Sequence, residues 1–396
     1  MELKVVSMKR KGLAVGIILL FVGTCIIPAI AQNIEKPSLP TSRGNWLYVG
    51  GSGPGNYTRI QDAVNDASNG DTIFVYDDSA PYYENTIWIN ASINLIGEDK
   101  NTTIIDGKGG GGPTDVIRIS ANKVKVTGFT IRNCSGTIAD TGIYISHAKD
   151  HGISHYRDIK TVFNANISEN IFINTATGIM EIKTFHTIIS GNLITSSGVP
   201  DGFNTTDVGI ESRIASSTIR GNTILNPRVS GMDFSFTHCL VEGNVISNGT
   251  QPRYHLGITQ MFCSNRIIGN TITNFYYGIF SEFSIINNIY QNDISHCNLG
   301  IFVLESVFNF VSNNNITFCE DCGFYLYHSI FTSVKENNFI NNSFSAAFSK
   351  SFGTRWVRNY WDDWFGIGPK IIKSEDNILW VNFDWHPARE PYDIEG

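Results

Sequence analysis

Residues 289–302 read IYQNDISHCNLGIF, and residues 311–325 repeat the same phrase as VSNNNITFCEDCGFY. Both copies carry a β-branched residue three positions before an asparagine, an apolar residue two positions after it, and later a glycine followed by a large apolar residue. The asparagine recurs eight times at intervals of 22 to 30 residues. Its positions are Asn170, Asn192, Asn222, Asn244, Asn270, Asn292, Asn314 and Asn337.

A repeat of this length predicts a solenoid. The units contain almost no leucine, which argues against leucine-rich repeats, and their short Ile, Val and Phe runs have strand composition. About three such runs fit each period, as in one turn of a parallel β-helix. We expect the asparagines to stack and hydrogen-bond from turn to turn. We expect the glycines to supply a backbone conformation that other residues avoid at a sharp corner. The prediction is therefore an all-β, single-stranded parallel β-helix of about ten turns.

Near the start of the chain, three basic residues, Lys9, Arg10 and Lys11, precede an apolar run that closes with Ala29-Ile30-Ala31. This pattern predicts a signal peptide over residues 1–31, and an uncleaved membrane anchor is the alternative. Residues 32–45 are predicted to be a linker. The β-helix is predicted over residues 46–352, and an aromatic C-terminal capping segment over residues 353–396.

The composition limits the partners. The formal net charge of −7 becomes about −10 without residues 1–31, which argues against nucleic acid. No Gly-x-Ser-x-Gly, Walker, His-Glu-x-x-His or dinucleotide motif is present, so nucleotide-driven chemistry is excluded. We expect a secreted or cell-surface monomer that contacts a membrane only through an uncleaved leader.

The two ends of the solenoid have cap-like sequences. Thr58 and Gln61 match a capping box at the start of a helix whose apolar stripe includes Ile60 and Val64. An amphipathic helix there would cover the open N-terminal end of the core. At the other end, a tryptophan-rich segment would cover the last turn. Its tryptophans are Trp356, Trp361, Trp364, Trp380 and Trp385.

Several short segments carry a family resemblance. They are YTRIQDA at 57–63, NGDTI at 69–73, INLIGE at 93–98, TIIDG at 103–107, NYWDDW at 359–364 and FDWHP at 383–387. With these segments, nearly the whole mature chain resembles the NosD-like group of carbohydrate-binding and sugar-hydrolase (CASH) repeats, which are pectin-lyase-like right-handed β-helix proteins abundant among archaeal secreted proteins. The resemblance implies a right-handed solenoid with no fixed activity, since this fold hosts many functions. The Asn-Thr-Asp, Gly-His-Gly and Arg-Ile-Lys motifs of polygalacturonases and the Asp-Pro-His motif of alginate epimerases are absent.

Three intervals exceed one turn, which places insertions near 146–160, 196–207 and 248–255. They flank the glycine-containing strands, so we expect them to wall a groove along that face, where function usually resides. If the residue after each glycine points inward, the next one points outward. The predicted groove floor is Tyr144, Met180, Glu211, Asp233, Thr259, Phe280, Phe302 and Tyr325.

Three candidate sites lie on this floor, in the column two residues further on, or in the insertions beside it. Tyr144, Thr259, Phe280, Phe302, Tyr325 and Tyr327 are predicted to contact carbohydrate, because aromatic faces stack on sugar rings. The alternative is that the C-terminal segment covers the aromatic strip.

Glu211 and Asp233 would stack in adjacent turns beside Arg213, as an acid and base for a polysaccharide lyase or glycoside hydrolase. Alternatively, they would hold Ca²⁺ or form an ion-paired ladder without a catalytic task.

His147, His151 and His155 recur at four-residue spacing in the first insertion, and free loop histidines are the alternative. The NosD resemblance implies association with copper delivery to nitrous oxide reductase, so these histidines are candidate copper ligands.

Cys297 and Cys319 fall in adjacent turns at a separation that a disulfide accepts, or they are simply small apolar turn residues.

The leading interpretation is a surface β-helix protein that binds carbohydrate along the glycine-containing strands. A polysaccharide lyase or hydrolase, and a copper-handling protein, are the alternatives.

Overall fold

The computed structural model describes residues 44–109, 115–134, 140–148, 159–195, 208–249, 255–376 and 380–394. Apart from one short helix and a 3₁₀ turn at Gly107–Gly109, its regular elements are strands. They form a parallel β-helix that coils through twelve turns, as the twelve-stranded sheet shows. The predicted fold is confirmed, with two more turns than expected. Three turns before Asn170 lack a ladder asparagine, and two of them carry Thr103 and Phe129 at its position.

Each turn contributes a strand to three stacked columns. The glycine column consists of 87–89, 117–119, Thr141–Ile145, the first part of Thr177–Ser190 and of Val208–Arg220, Ser230–Ser235, Leu256–Met261, Tyr277–Glu282, Leu299–Leu304, Cys322–Tyr327 and Phe344–Ser349.

The ladder column precedes the asparagines. It consists of Trp46–Val49, Thr72–Val75, Asn94–Gly97, Lys125–Thr127, Asn166–Ser168, the second part of Thr177–Ser190 and of Val208–Arg220, Leu240–Glu242, Arg266–Ile268, Asn288–Tyr290, Phe310–Ser312, Ser333–Lys335 and Arg355–Val357. A short strand, Val162–Phe163, pairs with the bend inside Thr177–Ser190.

The short column follows the asparagines. It consists of Tyr82–Tyr83, Ile104–Asp106, Thr130–Arg132, Ile171–Ile173, Leu193–Thr195, Thr223–Leu225, Val245–Ser247, Thr271–Thr273, Asp293–Ser295, Asn315–Thr317, Asn338–Ile340 and Tyr360–Trp361.

The asparagines form the predicted ladder inside the corner between the ladder and short columns. From Asn170 to Asn337, each side-chain Nδ2 donates to Oδ1 of the next asparagine at 2.9 to 3.2 Å. The ladder continues one turn further than predicted, through Asn359 to the buried carboxylate of Asp384. Every asparagine of the ladder is almost fully buried. Because each amide satisfies backbone groups as well as its neighbour, the ladder fixes the stacking of the turns.

The glycines of the glycine column have a different role from the predicted one. None of Gly257, Gly278 and Gly300 has a positive φ. A Cβ on Gly278 would instead lie 2.6 Å from the carbonyl oxygen of Gly300 and 2.6 Å from Cγ2 of Ile294. These glycines are therefore required by close packing between turns. The positive-φ corner lies just before the ladder asparagine, where Gly269 has φ 61°.

The N-terminal end is closed by the helix α1 (Ile60–Asp66), whose Ile60, Ala63 and Val64 are buried. The predicted capping box is wrong, because the helix begins at Ile60 and its N-cap, Arg59, makes no side-chain capping bond. Instead Glu84, from the turn after the strand Tyr82–Tyr83, accepts hydrogen bonds from the Ile60 and Gln61 amides at 2.6 and 3.0 Å. A carboxylate supplied from a neighbouring turn thus satisfies the orphan amides of the helix.

The C-terminal end is covered by an antiparallel pair of strands, Lys370–Lys373 and Val381–Asp384. Trp356 and Trp361 are buried in the core, and Trp364 and Trp380 pack against it. Trp385 is the exception among the five tryptophans of this segment, since 64% of its surface is exposed. No helix in the described ranges is long and apolar enough to cross a bilayer.

Candidate functional site

The outward side chains of the glycine column stack in the predicted register. Successive pairings join Tyr144 to Met180, Met180 to Glu211, Glu211 to Asp233, Asp233 to Thr259, Thr259 to Phe280, Phe280 to Phe302, and Phe302 to Tyr325. The alternation of strand side chains therefore placed these residues on one face.

The N-terminal end of this face is covered. Tyr144 is fully buried and Met180 is 3% exposed, and both belong to a small apolar cluster with Ile182, Ala148 and Ile159. Ala148 and Ile159 lie near the two ends of the first insertion, so the described ends of this insertion pack over the face. Tyr144 is therefore not available to a ligand in this structure, and its prediction as a contact residue is corrected.

An acidic pair lies at the centre of the face. Glu211 and Asp233 are register partners in adjacent turns, and the Arg213 guanidinium pairs with the Glu211 carboxylate. Glu211 is 9% exposed, whereas Asp233 is half-buried. Burial, and then the charge of Glu211, raise the pKa of Asp233 to about 6, against the opposing effect of Arg213.

The pair is electrostatically asymmetric. The Arg213 guanidinium contacts the Glu211 carboxylate directly. Asp233, by contrast, has a pKa raised to about 6, chiefly by burial. Two neighbouring carboxyl groups whose environments differ in this way are an arrangement typical of acid–base pairs.

A strip of aromatic rings continues the face toward the C-terminus. The ring centroids of Phe280 and Phe302 lie 5.2 Å apart, and those of Phe302 and Tyr325 lie 5.3 Å apart. Tyr277 widens the strip, with centroids 5.4 Å from Phe280 and 5.5 Å from Phe302. All four rings are half-buried. Tyr277 was missed by sequence reasoning, although its signal is a Tyr-Tyr pair directly before Gly278.

The C-terminal segment contacts the strip at Tyr325. The Tyr325 hydroxyl donates to Glu375 Oε2 at 2.6 Å, and burial, followed by this carboxylate, raises the pKa of Tyr325. Tyr327 lies beside the strip, stacked on His328 with centroids 4.4 Å apart and with Lys350 Nζ 5.4 Å from its ring. The C-terminal segment therefore holds Tyr325 through Glu375, whereas Phe280 and Phe302 are half-buried and partly open to solvent.

The interior holds a buried acid that sequence reasoning missed. Glu181 points inward from the glycine column and is fully buried. Hydroxyls of Thr184, Ser212 and Ser217 donate to its carboxyl at 2.6 to 2.9 Å. Burial raises the pKa of Glu181 against these hydrogen bonds. The signal was its position two residues after the inward Ile179, since strand alternation places it inside.

A second internal ladder was also missed. In the corner that follows the glycine column, the hydroxyls of Ser284, Ser306, Ser329 and Ser351 each accept an amide hydrogen bond from the turn before, at 3.0 to 3.1 Å. The signal is the phrase Ser-x-x-Asn or Ser-x-x-Thr, which begins at each of these four serines. This corner is thus built from buried polar side chains rather than from glycine.

Comparison with known proteins agrees with this architecture. Residues 214–366 match the family model of the periplasmic copper-binding protein NosD. The match begins inside the strand Val208–Arg220 and ends just after the last strand of the short column. The NosD-like resemblance drawn from the sequence is confirmed, and the matched proteins give no indication of an archaeal source. A comparison with curated proteins found no match.

Several solved structures are similar to this parallel β-helix. The A-module of the mannuronan C-5 epimerase AlgE6 from Azotobacter vinelandii has a TM-score of 0.50 and 13% identity, over 75% of this chain and 86% of that chain. XylC in complex with xylose has a TM-score of 0.50 and 11% identity, over 85% of this chain and 76% of that chain. The Dettilon tailspike protein has a TM-score of 0.50 and 13% identity, over 80% of this chain and 62% of that chain. At these identities the likeness shows the right-handed β-helix fold alone.

The described residues do not fit the copper site that the NosD name implies. Within the described ranges no three His, Cys, Asp or Glu side chains gather where they could hold a metal ion. His147 is exposed and its pKa is lowered by partial burial and then by Lys160, while His151 and His155 lie outside the described residues. His238 Nδ1 is hydrogen-bonded to Ser264 Oγ at 2.8 Å.

The six described cysteines are all buried, free thiols. Cys297 and Cys319 follow the paired strands Asp293–Ser295 and Asn315–Thr317, as expected, but no disulfide joins them. Burial raises the pKa of Cys297 to about 12, which keeps it in the thiol form at neutral pH. The structure therefore presents both as small apolar turn residues, the alternative that the sequence left open.

Proposed function

We propose that this chain is an extracytoplasmic β-helix protein that binds polysaccharide along the outward face of the glycine column. The predicted leader and the description of the matched NosD family as periplasmic support the location. The observation that carries the binding proposal is the strip of half-buried rings formed by Tyr277, Phe280, Phe302 and Tyr325.

The strip suits an elongated sugar chain. Its rings follow one another at 5.2 and 5.3 Å, close to the ~4.8 Å separation of neighbouring strands. A polysaccharide that lies along the solenoid axis would therefore meet a ring on every turn. Because each ring is half-buried against its neighbours, little conformational freedom is lost on binding. Thr259 adds a half-buried hydroxyl one turn before Phe280.

The experiment is a binding measurement on a panel of polysaccharides, by affinity electrophoresis or on a glycan array. We expect Phe280→Ala and Phe302→Ala each to weaken binding about tenfold, which corresponds to about 1.4 kcal/mol of lost aromatic burial. Phe308→Ala is the matched control, because Phe308 is 44% exposed but stacks with Phe331 outside the strip. If Phe302→Ala and Tyr325→Ala bind as the wild type does, the strip is not the binding surface.

The second candidate is a polysaccharide lyase or glycoside hydrolase. It is favoured by the register pair in which Glu211 is ion-paired and the pKa of Asp233 is raised to about 6. Glu211 would then act as the base or stabilising carboxylate and Asp233 as the acid, with Arg213 orienting Glu211. Product release by Glu211→Gln equal to that of the wild type on every polysaccharide tested would end this proposal.

Copper handling is the third candidate, and the NosD description is its support. It would depend on the histidines of the first insertion, of which His147 alone is described. A calorimetric titration of the full chain with copper tests it, and micromolar or tighter binding is expected. Absence of binding with His147, His151 and His155 intact would dispose of it.

A further inference from the structure

A cleft lies at the C-terminal end of the solenoid, on the ladder column and away from the aromatic strip. It encloses a cavity of about 470 Å³ between the strand Arg355–Val357 and the strand Val381–Asp384. These two strands are register partners through one pair, Trp356 and Asp384. A cavity of this volume is within the range that small-molecule sites occupy.

Strand alternation determines which side chains this cleft presents. Trp356 and Asp384 point inward, since they are 4% and 0% exposed. Their chain neighbours Arg355, Phe383 and Trp385 therefore point outward. The Phe383 and Trp385 rings lie 5.1 Å apart, and Trp385 is 64% exposed. The cleft thus has a guanidinium on one strand and an open aromatic surface on the other.

The inward carboxylate offers this cleft no free acceptor. Asp384 Oδ2 accepts hydrogen bonds from the Asn359 amide and side chain and from Trp361 Nε1, at 2.8 to 3.2 Å. Asp384 Oδ1 accepts the backbone amides of Arg358 and His386 at 3.1 and 3.3 Å. Five hydrogen-bond donors thus occupy the two oxygens of Asp384. One of them is the side chain of Asn359, so Asp384 is the last member of the asparagine ladder.

The arginine side chains at this cleft have fewer bonding partners than Asp384 has. Arg355 is exposed and makes no ion pair with any described residue. Arg358 is 66% exposed, and its guanidinium is 3.8 Å from Glu336, which offsets part of its charge. His386 is exposed at the same cleft. Arg355 is therefore an exposed guanidinium without an ion-pair partner among the described residues, and it lies beside an aromatic face.

We propose that this cleft binds an acidic sugar, a hexuronate unit of a polysaccharide, as a second site separate from the aromatic strip. The Arg355 guanidinium pairs with the carboxylate, for which its planar fork is suited. The exposed Trp385 face stacks on the pyranose ring. A neutral sugar would use the indole but not the guanidinium, whereas a simple anion would use the guanidinium but not the indole. The combination selects a ligand that has both a ring and a charge.

The test is isothermal titration of the full chain with a trimer of galacturonate, a trimer of galactose and inorganic phosphate. We expect the galacturonate trimer to bind at least tenfold more tightly than the other two. Arg355→Gln and Trp385→Ala should each weaken its binding about tenfold or more, and Trp385→Tyr should retain most of it. Arg389→Gln is the control, because Arg389 is an exposed arginine of the same segment outside the cleft. Thermal melts confirm that the variants fold.

The outcomes separate this site from the aromatic strip. Phe302→Ala should leave galacturonate binding at the cleft unchanged, and Arg355→Gln should leave polysaccharide binding at the strip unchanged. Wild-type galacturonate affinity in both Arg355→Gln and Trp385→Ala overturns the inference. If phosphate binds as tightly as the galacturonate trimer, the inference is also overturned, because the cleft would then recognise negative charge alone. Either result leaves the proposal for the strip standing.

Discussion

Replacing Asn292 with alanine tests the asparagine ladder most severely. Asn292 Oδ1 accepts hydrogen bonds from the backbone amide and the Nδ2 of Asn270, at 3.0 and 2.9 Å. Its Nδ2 lies within hydrogen-bond distance of the Ile267 and Tyr290 carbonyls and of Asn314 Oδ1, at 2.9 to 3.1 Å. Alanine keeps the backbone in place and removes all of these contacts at once.

The cost follows from which groups lose their partners. The Asn270 backbone amide is buried and loses its acceptor, a loss that costs about 1–3 kcal/mol. The remaining contacts are net hydrogen bonds worth about 1 kcal/mol each, and the Asn270 and Asn314 side chains retain other partners. The Asn292 Nδ2 has two N–H groups and so forms at most two of its three contacts, which together with the bond from Asn270 Nδ2 adds about 3 kcal/mol. We therefore expect Asn292→Ala to lower the free energy of unfolding by about 4–6 kcal/mol.

The assay is urea unfolding followed by far-UV circular dichroism, with hydrogen exchange of the Asn270 amide as a local readout. Asn288→Ala is the matched control. Asn288 is a half-buried asparagine in the adjacent strand whose side chain makes no hydrogen bond to a described residue, so its loss should stay within about 0.5 kcal/mol. Equal unfolding free energies for the two variants, with unchanged exchange at Asn270, would refute the stabilising role of the ladder.

Three further predictions concern packing and charge. Gly278→Ala should destabilise the protein by about 1–3 kcal/mol in urea unfolding, because the added Cβ would lie 2.6 Å from atoms of the next turn. Gly269→Asn should cost under about 1 kcal/mol, because Gly269 has a positive φ, which asparagine tolerates, and open space around it. Since burial raises the pKa of Glu181 above 4.5, its stabilising contribution is complete below that pH and is lost as the pH rises toward the folded pKa. Glu181→Gln should therefore gain stability relative to the wild type from pH 4.5 upward, and a pH-independent difference would contradict this. Glu211→Gln should lower the pKa of Asp233 from about 6, as measured by carboxyl ¹³C NMR, because the repulsion between the two carboxylates is removed.

Local patterns predicted most of the fold. The β-branched residues before the asparagines and the apolar residues after them have one structural position in every turn, so the period alone placed Ile267 and Ile272 in the core. Where prediction failed, the answer depended on contacts between turns. Glycine is required at position 278 because the next turn approaches its backbone closely. The cap of α1 comes from Glu84, which is 24 residues from Ile60. No spacing rule encodes such contacts.

The sequence predicted which side chains of the candidate site point outward, but not which of them are exposed to solvent. Period-two alternation identified the outward residues, and the register brought Glu211 and Asp233 together. Tyr144 is covered because Ala148 and Ile159, near the ends of the first insertion, pack against its cluster. No motif in the sequence indicates this contact. The buried Glu181 was hidden for another reason, since a carboxylate at an inward position violates the pattern by which cores are recognised.

The central claim is that polysaccharide lies along the outward aromatic strip of the glycine column. A crystal structure of the protein with an oligosaccharide from whichever polysaccharide binds most tightly tests it most directly. The account predicts sugar rings stacked against Phe280 and Phe302, with the chain parallel to the solenoid axis. Sugar density confined to other faces, with these two rings still open to solvent, would contradict it.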